Sequence, residues 1–161
     1  MDRDALRAYL SDHLAGSTSA LDLVRRRASG AEGDLGRLFE GLAAELELER
    51  RFLREAMAAA GIGPQVHKQA LALAASWFDV LRPRRQPPNL VRDLEVIATG
   101  VRGKELLWAT IGALRLAGTT LLDPEDLAQL DEMAAAQSRE LRRQHDLAVQ
   151  RELAGRVPAS G

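Results

Sequence analysis

GIGPQVHKQALALAASWFDVLRPRRQPPN, residues 61–89, is the stretch on which the fold turns. It opens on Gly61-Ile62-Gly63-Pro64 and closes on the run from Pro83 to Asn89. Glycine and proline are the strongest local punctuation a chain carries. Between them Val66, Leu71, Ala74, Phe78 and Leu81 recur at helical spacing, which predicts a short helix over Pro64 to Leu81. A link of that length, with a helix of its own, can carry the chain back along a bundle. The segments on either side would then run in the same direction.

Upstream, segment B covers about Asp34 to Ala60, with Leu35, Leu38, Leu42, Leu46, Phe52 or Leu53, and Ala56 on one face. Gly61 suits the left-handed position after a helix end, and Ile62 supplies the apolar contact that accompanies it. Downstream, segment C begins after Pro87-Pro88 with Asn89 as its N-cap. Its face is Leu90, Leu94, Ile97, Val101, Trp108 and Ile111. Segment A, about Asp4 to Ala28, carries Leu6, Leu10, Leu14, Leu21, Val24 and Ala28. Segment D starts with Asp123 as cap, Pro124 in the first turn, and Glu125 and Asp126 complementing the helix dipole. Its face is Leu127, Leu130, Ala134, Leu141 and Ala148. Each segment is about 40 Å long at about 1.5 Å per residue. Four matched rods, short A–B and C–D links and a long B–C link predict an all-α, ferritin-like four-helix bundle. Its B–C crossover would contain the short fifth helix. The bundle domain is expected over residues 1–155, with a flexible tail over 156–161.

Composition agrees. Leu and Ala number 27 each, whereas Val, Ile and Thr together number 16, and that balance favours helix over sheet. The formal charge of −1 gives no field for nucleic acid or an anionic membrane. There is no cysteine, which removes disulfides, thiolate metal sites and a cysteine nucleophile. The apolar run from Leu106 to Leu122 is broken by Arg115 and reads as a buried helix plus a turn rather than a membrane span. The acidic start, Met1-Asp2-Arg3-Asp4, is not that of a signal peptide, so a cytoplasmic location is expected. The basic 82–88 run reads as a solvated linker, and Arg25-Arg26-Arg27 as a solvated face or helix-end charges. Phosphate loops, nucleophile elbows, His-Glu-x-x-His and dinucleotide fingerprints do not occur.

In a bundle, function is built from polar side chains that interrupt the apolar stripes. Those are His13 and Ser17 on A, Glu45 and Glu49 on B, Lys104 or Glu105 on C, and Gln137 or Ser138 on D. In the expected topology His13, Glu49 and Glu105 fall near one level, about 16–17 Å up the bundle, with Gln137 within about one turn. Glu45 and Ser17 form the next layer. One imidazole and two carboxylates suit a divalent ion such as iron, manganese or zinc, in a metal-handling or oxidase role. The di-iron pattern is absent, because no Glu-x-x-His occurs anywhere. The other reading of the layer is a hydrogen-bonded polar step that fixes helix register. Gly100, Gly103 and Gly112 suggest close helix approach, within the chain or at a dimer seam, and Trp77 and Trp108 read as filler.

Tyr9-Leu-Ser-Asp-His-Leu-Ala-Gly16 and Gly103-Lys-Glu-Leu-Leu-Trp108 resemble stretches of a family of small uncharacterised bacterial helical proteins, and the likeness extends loosely through Leu42 to Met57. The resemblance implies a ferritin-like bundle and no established activity. The expected function is therefore non-catalytic, without cofactor, acting by self-association or protein binding. Metal binding through His13, Glu49 and Glu105 is the alternative. A third reading is an adaptor for a partner helix or hydrophobic ligand, with an apolar groove near the 64–81 helix.

Overall fold

The computed structural model describes residues 2–63 and 89–154. Four long helices make up this part: α1 (Arg3–Ala28), α2 (Gly33–Ala59), α3 (Leu90–Leu116) and α4 (Pro124–Glu152). Their ends follow from local chemistry. Asp2 caps α1 with a side chain that accepts from the backbone N–H groups of Asp4 and Ala5, both at 3.0 Å. Asn89 caps α3 by accepting from the Arg92 N–H at 3.0 Å. Asp123 stands at the N-cap position of α4 with Pro124 behind it, but its carboxylate makes no capping bond. Gly61 and Gly118 take φ of 68° and 87°, conformations that a side chain disfavours. In both turns the N–H of the glycine and that of the residue after it return to the helix. Ile62 donates to the Met57 carbonyl at 2.8 Å, and Thr119 to Leu114 at 2.9 Å. Ile62 is buried in the core, as its position after the glycine predicts.

α1 packs closely along α2, and α3 along α4. The two hairpins meet through sparser α1–α3 and α2–α4 seams. The core has two parts. One gathers Leu6, Leu10 and Leu14 from the start of α1, Leu53 and Met57 from the end of α2, Leu107, Trp108 and Ile111 from the end of α3, and Leu127 and Leu130 from the start of α4. The other gathers Leu21 and Val24, Phe39 and Leu42, Leu94 and Ile97, and Leu141 and Ala148. The end of α1 therefore lies with the starts of α2 and α3 and with the end of α4. Every neighbouring pair is antiparallel, and α2 and α3 run the same way. Burying each such leucine contributes about 1.5–3 kcal/mol, so the stripes hold the bundle.

The expected fifth helix over Pro64–Leu81, the groove expected beside it, the 82–88 run, His67, Trp77 and the 156–161 tail lie outside the described residues. No helix among the described residues is long and apolar enough to cross a membrane.

Candidate functional site: a cavity over a buried polar layer

Between the two apolar clusters lies a polar step. Glu49 of α2, 2% exposed, Lys104 of α3 and Gln137 of α4 are all buried there. Lys104 Nζ donates to Glu49 Oε2 and to Gln137 Oε1, each at 2.5 Å. Gln137 Nε2 donates to Glu49 Oε1 at 3.1 Å and to Glu45 Oε2 at 2.7 Å. Both hydrogens of the Gln137 amide are thus used, its oxygen accepts from Lys104, and one Lys104 hydrogen is left over. Burial pushes the Glu49 carboxyl above its ordinary value, against the pull of Lys104 and Gln137. Burial likewise pushes the Lys104 ammonium down, against the pull of Glu49. Both shifts have the same cause: a charge taken out of water is disfavoured, and a partner at hydrogen-bond distance opposes that cost.

The layer expected from periodicity is present, but its members differ. On α3 the inward line runs Ile97, Val101, Lys104, Trp108, so Lys104 takes the core position. Glu105, one residue further and about 100° round the helix, leaves the core for the α3–α4 edge. There it accepts from Ser138 Oγ at 2.6 Å and pairs with Arg102 at 2.5 Å. Those two hydrogen bonds, Ser138 first, hold its carboxyl below the ordinary value. His13 is half-buried and stands edge-on to Tyr9, with ring centroids 4.6 Å apart. Burial lowers its pKa, with Asp12 opposing. Among the described residues no group of three or more His, Cys, Asp or Glu side chains is placed to hold a metal ion. Of the expected His13, Glu49 and Glu105 with second-layer Glu45, the structure brings Glu49 and Glu45 together with Lys104 and Gln137, and places His13 and Glu105 outside the hydrogen bonds of that layer. A lysine where a second acid was expected supplies the counter-charge that a metal ion would otherwise have supplied. Lys104 and Gln137 were legible as alternatives at their positions. Lys104 lies three after Val101 and four before Trp108, Glu105 four after and three before, so the spacing admits both and packing selects Lys104.

The polar layer lines one wall of a cavity of about 550 Å³. Leu42, Leu46 and Leu53 of α2 and Ile97, Val101, Leu107 and Trp108 of α3 give it an apolar interior. Its lining residues on α2 and α4 are buried apart from half-buried Arg50, whereas Gly16, Ser17 and Ala20 on α1 and Gly100 on α3 reach solvent. The cavity therefore opens through the α1–α3 seam. That seam is tied at both ends. Tyr9 Oη and Thr110 Oγ1 lie 3.1 Å apart at one end, and Arg27 Nε donates to Asp93 at 2.5 Å at the other. Arg27 is thus a part-buried tie, not the solvated charge expected of it. Between the ties, Gly16, Gly100 and Gly103 have open space: a Cβ on any of them would meet nothing within 4 Å. Of the three α3 glycines Gly100, Gly103 and Gly112, it is Gly112 that behaves as a close-approach residue, with Leu127 Cδ2 at 3.3 Å from the site of a Cβ.

The indole of Trp108 is 1% exposed, and its Nε1–H has no acceptor. His145, the third histidine, reaches Glu95 at 3.3 Å on the surface and takes no part in the site. Comparison with family models, curated proteins and solved structures finds no match, so the resemblance carried by Tyr9–Gly16 and Gly103–Trp108 gains no family from it.

Proposed function

We propose that the chain is a non-catalytic binding protein on a ferritin-like bundle, and that it takes a small apolar molecule into the cavity between α1 and α3. The observation that carries this reading is the cavity itself. Its volume of about 550 Å³ lies within the roughly 300–1,000 Å³ of small-molecule pockets. The lining supports holding a molecule rather than reacting with it. Glu49, Lys104 and Gln137 are tied to one another, so the acid and the amine of the layer are already engaged, while Asp12, His13 and Ser17 of the lining stand on α1. The parallel α2 and α3, joined by a long link, support the ferritin-like connectivity. Self-association has less behind it. Of the large exposed apolar side chains among the described residues, Leu116 and Leu153 stand at opposite ends of the bundle and Leu106 stands apart on α3.

Titration with a neutral solvatochromic dye such as Nile red tests the reading. Saturable one-to-one binding is expected, and Gly103→Leu, whose side chain enters open space in the cavity, is expected to abolish it without loss of helicity. Absence of saturable binding, or binding unchanged in folded Gly103→Leu, would overturn it.

A further inference from the structure

The charges around the cavity narrow the class of ligand, an inference that rests on the binding role above. Asp12, Glu49, Arg50 and Lys104 are the lining residues with formal charge. Glu49 and Lys104 neutralise one another in the layer, so neither is left to meet an ion. Asp12 is exposed beside His13, where water screens it. Arg50 differs from all three. It is half-buried, and no carboxylate among the described residues pairs with it. Its Nη2 donates to Thr18 Oγ1 at 3.1 Å, and its Nε is closed in without a partner. Nη1 has no partner among the described residues either, yet it is not closed in, so it is open to solvent.

Arg50 thus belongs to two environments. It lines the apolar cavity, and at its far end it carries a charged donor that water reaches. The charges about it leave a cation in surplus. Glu47, one of the nearby acids, is already engaged by Arg25. Burial, then Arg54 and Arg25, push the Arg50 pKa down, against Asp22 and Glu47. A guanidinium held beside like charges, with part of its hydration removed, is stabilised by an added anion. A carboxylate suits it better than an alcohol or an amide does, because charge-assisted hydrogen bonds are roughly twice as strong as neutral ones. We infer that the cavity takes a single-chain aliphatic carboxylate, its chain against Leu42, Leu46, Leu53 and Val101 and its head outside the apolar interior, accepting from Arg50 Nη1.

Decanoate, decanol and decyltrimethylammonium share a chain and differ in the charge of the head. Each is set to compete with Nile red on the full chain, below its micelle threshold and at a pH where decanoate is ionised. Decanoate is expected to displace the dye best and the cation least. Arg50→Met keeps an apolar side chain on the cavity wall and removes the charge. It is expected to weaken decanoate about 10-fold relative to its effect on decanol. Arg51→Met removes the same charge from the exposed neighbouring position and is expected to leave that ratio unchanged. Added salt is expected to lower the advantage of decanoate over decanol in the parent, a reading that needs no variant to fold. If decanol or the cation displaces the dye best, if salt leaves the ratio unmoved, or if Arg51→Met lowers it as much as Arg50→Met, the ligand class is wrong and the binding role stands. If Nile red itself does not bind, the binding role has failed first.

Discussion

The two seams made by α3 differ in kind. Toward α4, Gly112 lets the Leu127 side chain close to 3.3 Å, and the helices pack along their length. Toward α1, Gly100 and Gly103 line the cavity together with Gly16 and Ala20, a Cβ on any of these glycines meets no atom within 4 Å among the described residues, and the polar ties are Tyr9–Thr110 and Arg27–Asp93. The same residue type on the same helix closes one seam and opens the other. A missing side chain removes bulk, and the neighbour determines whether the space is taken up. Leu127 takes it up; another glycine does not. Glu49, Lys104 and Gln137 join α2, α3 and α4 along one wall of the cavity that the open seam leads into.

That arrangement predicts its largest effect at the layer. Glu49→Ala strands the buried Lys104 charge and is expected to cost about 3–5 kcal/mol in denaturant unfolding. Glu49→Leu with Lys104→Met removes both charges and is expected to be neutral or about 1–4 kcal/mol stabilising. A double variant as damaged as the single one would show that the hydrogen-bonded network, not compensation of charge, supports the seam.

The closed seam comes next. Gly112→Leu overpacks against Leu127 and is expected to lose about 1–3 kcal/mol. The same change in the open seam should not carry that cost. Gly100→Leu starts from a Cβ in free space and gains the helix propensity that glycine forgoes, about 1 kcal/mol. Melting curves of the two variants test the contrast directly. Equal signs at 100 and 112 would mean the seams are alike.

Much of this was legible before any coordinates. Asn89, Gly61 and Pro124 marked helix ends because capping chemistry is local. Stripes such as Leu6, Leu10, Leu14 gave four rods, and the 61–89 link gave the direction of α3. The polar layer was legible as a level, since rise per residue is fixed. Its membership was not, because Lys104 and Glu105 differ by one step of rotation and only packing decides between them. The glycines were misread for a related reason: Gly100 and Gly112 look identical until the opposite residue is known. Arg27 was taken for surface because its partner, Asp93, lies 66 residues away.

The smallest expected effect belongs to His13, on the rim of the open seam. Burial lowers its pKa below 6.5 in the folded protein. The unfolded chain then binds a proton on this group more readily than the folded one. Stability should rise with pH between the folded pKa and 6.5, and fall as acid protonates the unfolded imidazole first. Glu49, whose folded pKa is raised, titrates with the opposite slope above 4.5, because folding there holds a proton the unfolded chain has released. The two trends overlap, so the parent's pH profile alone does not resolve them. The difference between parent and His13→Gln does. From about pH 8 to about pH 5 the variant's melting temperature should gain on the parent's as the pH falls. Occupancy of the cavity should enlarge that gain, since a ligand against the ring excludes more water from the imidazolium. An imidazole fully hydrated at the opening would show neither the gain nor its enlargement, and the seam would then be wet at His13.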